Sequence, residues 1–204
     1  MTMTPEDAPT ADDAVVSTAG ATSQVFEGGE VVGHVLLLDL DGADLLDAVK
    51  VADDLDGVAA VLRSSEESYH VWGLDVRGLR EQTVRALSYH AGDDAHVGSS
   101  WRRGYGVLRV VGKVRDDGTT YKCRPSVQHV SPSGADGDHS AAHAAMLRSL
   151  IEGQPQDVQG DASALDATEA PESVRYVGDA DDLRLDRYQT LTDDGKAALR
   201  GEST

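Results

Sequence analysis

Residues 31–42 read VVGHVLLLDLDG, and the organisation of the chain turns on them. An apolar run rich in Val and Leu closes on Asp-Leu-Asp-Gly, the pattern of a buried strand stopped by a glycine turn. Successive side chains on a strand point to opposite faces. Leu36, Leu38 and Leu40 therefore share one face, predicted to meet helices, while Asp39 and Asp41 share the other.

Working outward, residues 44–55 (DLLDAVKVADDL) repeat apolar side chains at helical spacing. A second strand is predicted over 58–62, a turn at RSSEE, a third strand over 68–76 (SYHVWGLDV), and a helix over 79–92 that Gly92 ends. Residues 105–114 (YGVLRVVGKV) and 119–125 (TTYKCRP) then form a hairpin around DDG. The order βαββαβ plus an extra hairpin strand is an α+β fold, the split βαβ sandwich of RRM-like or ferredoxin-like proteins. It implies a sheet in spatial order 4-1-3-2 with both helices on one face. The end of strand 1 then lies beside the starts of strands 3 and 4, and the loop after helix 2 arrives at the same edge. On strand 4, Leu108 and Val110 are expected on the helix side, and Tyr105, Arg109 and Lys113 on the other.

The flanks differ in composition. Residues 1–24 are rich in Thr, Ala, Asp and Pro without apolar periodicity and are expected to be a disordered acidic leader. Residues 25–130 hold the α+β domain. Residues 131–204 are expected to be a linker, a helix over 140–151 and an acidic C-terminal extension, in which VRYVG fits a strand and LTDDGKAALR a short capped helix.

With 204 residues, the chain fits one domain with extensions. It carries 26 Asp and 10 Glu against 14 Arg and 4 Lys, a net charge of −18. Such a surface repels phosphate in general, and short hydrated carboxylates with few lysines fit a protein kept soluble in concentrated salt. A halophilic, haloarchaeal source is the expectation. The single Cys123 excludes an internal disulfide and a multi-thiolate zinc site. The N-terminus has acid where a signal peptide needs positive charge, and the longest apolar run, 35–38, is far below the roughly 20 residues of a membrane span. A cytoplasmic protein without membrane contact is expected.

Four features suggest chemistry. Asp39 and Asp41, on one face of a strand end, are placed to share a divalent cation, the alternative being a solvated strand end. Ser68 and His70 share a face by the same parity and are predicted to lie beside them as phosphate or metal ligands, the alternative being a structural histidine. From Trp101 to Arg124 there are seven bases, Arg102, Arg103, Arg109, Lys113, Arg115, Lys122 and Arg124, against Asp116 and Asp117. That basic island in an acidic chain suggests nucleic acid, with pairing to neighbouring Asp residues as the alternative. Finally, Asp93 or Asp94, after the second helix, is placed to complete a carboxylate set.

Taken together, the strand ending DLDG, the segment RSSEESYHVWG, a helix, and DDAHVGSSWRRGYGVLRVVGK resemble the catalytic core of the archaeo-eukaryotic primase superfamily, the primase-polymerases. The resemblance covers residues 31–124 and implies an RRM-like fold and two-metal nucleotidyl transfer. Asp39, Asp41 and Asp94 would be the catalytic, metal-holding acids for Mg²⁺ or Mn²⁺. Ser68, His70, Arg109 and Lys113 would bind the nucleoside triphosphate, and Arg102, Arg103, Lys122 and Arg124 would bind single-stranded template DNA. The segment has neither a zinc-binding stem nor the helicase motif GxxxxGK[ST], so a reduced plasmid- or virus-type member is implied, working with a helicase or replication protein. The alternative is a catalytically inactive nucleotide- or single-stranded-DNA-binding replication accessory module.

Overall fold

The computed structural model describes residues 15–17, 19–89, 94–115, 120–131, 139–166, 172–178 and 191–202. In chain order these form β1 (Val15–Ser17), β2 (Ala19–Glu27), β3 (Glu30–Asp41), α1 (Leu45–Asp53), β4 (Ala59–Ser65) and β5 (Ser68–Arg77). There follow α2 (Leu79–Tyr89), α3 (Asp94–Arg103), β6 (Val107–Arg109), β7 (Lys113–Arg115), β8 (Thr120–Lys122) and β9 (Ser126–Ser131). The remainder is α4 (Ala141–Glu152), β10 (Gln159–Gly160), a 3-10 turn at Ala162–Leu165, β11 (Glu172–Gly178) and α5 (Asp193–Arg200).

The fold is α+β. Its main sheet has the order β10-β9-β4-β5-β3-β2-β11, with β6 as an eighth strand paired to β2. All of these pairs are antiparallel except β9 with β10. Strands β1, β7 and β8 make a separate small sheet, in which β7 and β8 form the expected hairpin.

Local chemistry sets the boundaries at the site end. Gly42 takes φ of +74°, and its N–H donates to Glu67 O at 2.8 Å, tying the end of β3 to the β4–β5 turn. Asp44 caps α1 by accepting the Asp47 N–H at 2.9 Å. The helices predicted near 140–151 and 191–200 are present as α4, capped by Ser140, and α5, capped by Thr192.

Pleat parity divides the core as the alternation demands. Leu36, Leu38 and Leu40 pack with Val61 and Val71 against Ala48, Ala52, Ala86, Val97 and Leu199 of the helices α1, α2, α3 and α5. The opposite face is not open, as a two-layer sandwich would have it. Val35, Leu37, Leu62 and Trp72 pack under Ala144, Leu147 and Leu150 of α4, with Leu165 from the 3-10 turn. Residues after 131 therefore supply a layer of the core, because that sheet face is apolar along its middle and needs a cover.

Two expectations about the strands are corrected. Strand 1 was to pair with strand 4, but the place beside β3 is taken by β2, so Ala19–Glu27 is a sheet strand and not part of a disordered leader. Gly28 and Gly29, with φ of +60° and +91°, make a two-residue turn that returns the chain onto β3, and this local pairing has little loop to close. β6 pairs instead with the first part of β2, Gly20 opposite Arg109 and Thr22 opposite Val107. Its parity is thus not that of a strand beside β3, and Leu108 and Val110 enter the α4-side core rather than the α1–α2 side. Residues 1–14 lie outside the described residues.

Candidate cation and nucleotide site

The site is built by the register of β3 against β5. Asp39 stands opposite His70, and Asp41 opposite Ser68, with Leu40 and Tyr69 between them facing the other way. Asp39 Oδ1 lies 3.6 Å from His70 Nε2, the carboxylate side chain 26% exposed and the imidazole 6%. Asp41 is exposed and Ser68 buried. The Ser64 hydroxyl donates to Ser68 O at 3.1 Å, fixing the turn against the strand. Asp39, Asp41, Ser68 and His70, predicted to converge, lie opposite one another at the joined ends of β3 and β5.

Arg109 reaches the same end but is committed to backbone. Its guanidinium donates to Val111 O at 2.7 Å, to Cys123 O at 2.5 Å and to Ser64 O at 2.5 Å. Burial pulls its pKa below the ordinary value, and the charge of Asp39 acts in the opposite sense. The expected triphosphate ligand is therefore first a buried cation that ties β6, the end of β8 and the β4–β5 turn together. Ser64, which sequence reasoning passed over as a turn residue, is the acceptor that links it to the site.

The third acid is corrected. Asp94 begins α3, a helix where a loop was expected, and its carboxylate pairs with Lys196 of α5. α3 packs on the α1–α2 side of the sheet through Val97, whereas Asp39 lies on the α4 side. Asp94 therefore does not join Asp39 and Asp41. Asp93 lies outside the described residues.

The fold keeps Arg109, Lys113, Lys122 and Arg124 along the β6–β8 segment and sets Arg102 and Arg103 on α3. Arg102 and Arg103 end α3, while Lys113 and Lys122 stand opposite each other across the β7–β8 pair. Arg124 is exposed, with Nη1 3.1 Å from where a Cβ on Gly153 would sit, beside the C-terminal end of α4. A cation there suits the negative end of the helix dipole.

No protein-family model matches the chain, and no curated protein or solved structure matches it significantly. What the site can do is set by its own donors. Among the described residues no group of three or more His, Cys, Asp or Glu side chains is arranged to hold a metal ion. A protein-only cage is therefore not found within those residues; a Mg²⁺ site completed by water and substrate phosphates needs only one or two carboxylates. Asp39 and Asp41 are two carboxylates on one face of β3. No described helix is long and apolar enough to cross a membrane.

Proposed function

We propose that the chain is a primase-polymerase-like nucleotidyltransferase that binds a nucleoside triphosphate with Mg²⁺ or Mn²⁺ at the joined ends of β3 and β5. The observation carrying this is the pairing of Asp39 with His70 and of Asp41 with Ser68 across one ladder. A divalent cation held there neutralises phosphate charge and polarises the bonds that change in nucleotidyl transfer. Asp39 and Asp41 supply the carboxylates for it. Ser68 and His70 offer a hydroxyl and an imidazole to phosphate oxygens, with His70 Nε2 3.6 Å from Asp39 Oδ1. Arg109 adds a buried positive charge whose field acts on Asp39.

The second reading is the non-catalytic nucleotide- or single-stranded-DNA-binding accessory module, and the Asp94–Lys196 pair favours it. With Asp94 on the other side of the sheet, two carboxylates remain where the resemblance calls for three. Incorporation of labelled nucleotide onto a primed or unprimed DNA template, with Mn²⁺ in molar KCl, separates the two. Product that disappears in Asp39→Asn/Asp41→Asn supports the transferase. Nucleotide binding without incorporation supports the accessory module.

A further inference from the structure

Ser64 is an extra residue in the ladder of β4 with β5. The two strands pair residue for residue from Ala59 opposite Gly73 to Arg63 opposite Tyr69, and then Ser65, not Ser64, stands opposite Ser68. Ser64 and Ser65 thus face a single residue of β5, the count of a β-bulge, a feature that bends its strand and re-aims a side chain. The side chain at this bulge is buried, Ser64 being 5% exposed. Its hydroxyl donates to Ser68 O at 3.1 Å, and its carbonyl accepts from Arg109 Nη2 at 2.5 Å. The same guanidinium donates to Val111 O and Cys123 O, so the bulge is anchored to β6 and to the segment that follows β8.

Asp39 and His70 need no such anchor, because they lie within a register that the buried Leu36, Leu38 and Val71 hold from the other face. Ser68 differs. It opens β5 opposite Asp41, the last residue of β3, where the core gives way to the exposed Glu66 and Glu67 of the turn. Local opening costs least at such an end, and a bond to the Ser68 carbonyl from a buried, anchored hydroxyl opposes it. We propose that Ser64 is a positioning residue of the nucleotide site: held by Arg109, it fixes the carbonyl of Ser68 and with it the direction in which the Ser68 hydroxyl meets a triphosphate oxygen. Ser64 acts only through Ser68. This rests on the proposed function, in which Ser68 is a phosphate ligand, and adds to it the residue that sets that ligand's geometry.

The test is a double-mutant cycle of Ser64→Ala and Ser68→Ala, read as Mn²⁺–ATP affinity by isothermal titration in molar KCl, with urea midpoints measured on the same proteins. Each single variant should bind Mn²⁺–ATP about fivefold more weakly, the size of one net hydrogen bond. The double variant should bind no more weakly than Ser68→Ala, since without the Ser68 hydroxyl there is nothing left to aim. Should Ser64→Ala not fold, Ser64→Cys, with only a weak S–H donor, takes its place in the cycle. Losses that multiply in the double variant would overturn the proposal, because a structural defect acts whether or not Ser68 carries its hydroxyl. Wild-type affinity in Ser64→Ala with a lowered urea midpoint would overturn it too, making Ser64 a bulge of the fold alone, as would wild-type affinity with the midpoint unchanged. Wild-type affinity in Ser68→Ala also overturns it, removing Ser68 as a ligand while leaving the cation site of Asp39 and Asp41 standing. A wild-type protein that binds no Mn²⁺–ATP removes the proposed function itself, and the positioning role with it.

Discussion

Asp39 and His70 face each other on adjacent antiparallel strands with Oδ1 3.6 Å from Nε2, and two residues further on Asp41 faces Ser68. A slip of one residue in this register would send the set to the opposite face. What prevents the slip is apolar: Leu36, Leu38 and Val71 are buried on the other face and would have to change places with polar neighbours. The site geometry is therefore a by-product of core patterning, and it should survive loss of any one polar member.

Arg109 should behave as a structural cation. Its three bonds to carbonyl groups lie in a buried setting, so Arg109→Gln should lower the free energy of unfolding by about 1.5–3 kcal/mol in urea titration. An unchanged midpoint with weakened nucleotide binding would instead make it a ligand alone.

The helix after residue 140 should be integral to folding. Leu147 is fully buried between α4 and the sheet, and Leu147→Ala should cost about 2–5 kcal/mol. A loss below about 0.5 kcal/mol, within the range of ordinary surface changes, would return α4 to the status of an appendage.

These two cases show what the sequence made legible and what it did not. The alternation around Leu36 and Asp39 was enough to sort the faces of β3, and RSSEE marked the turn that brings Ser68 back to Asp41. The hairpin signal Gly28-Gly29 lay between two apolar runs, but the Thr- and Ala-rich start of β2 hid the strand before it. α3 was hidden differently. Gly98, Ser99 and Ser100 are poor helix formers, and Val97 with Trp101 is all the apolar periodicity the segment offers. The Asp94–Lys196 and Tyr105–Arg175 contacts join residues far apart in the chain, and periodicity carries no information about such pairs.

His34 should give stability a pH dependence near neutrality. Burial lowers its pKa from the ordinary 6.5, and its Nδ1 lies 3.1 Å from Ser23 Oγ, which also accepts the Gly106 N–H. The folded state thus holds the neutral ring, and the unfolded chain binds the proton first. Stability from this residue is full above the unfolded value and is lost as pH falls from about 6.5 toward the lowered folded value. Thermal melts at several pH values should show the decline, and His34→Gln should flatten it relative to the wild type. An identical pH profile in the variant would mean that His34 titrates alike in both states.

Isothermal titration of Mn²⁺ in molar KCl, with a non-hydrolysable nucleoside triphosphate present, tests the cation and nucleotide site most directly. Wild type and Asp94→Asn should bind alike, because Asp94 pairs with Lys196 away from the site, whereas Asp39→Asn/Asp41→Asn should lose binding. Equal affinity in wild type and the double variant would contradict the account and leave the two carboxylates as a solvated strand end.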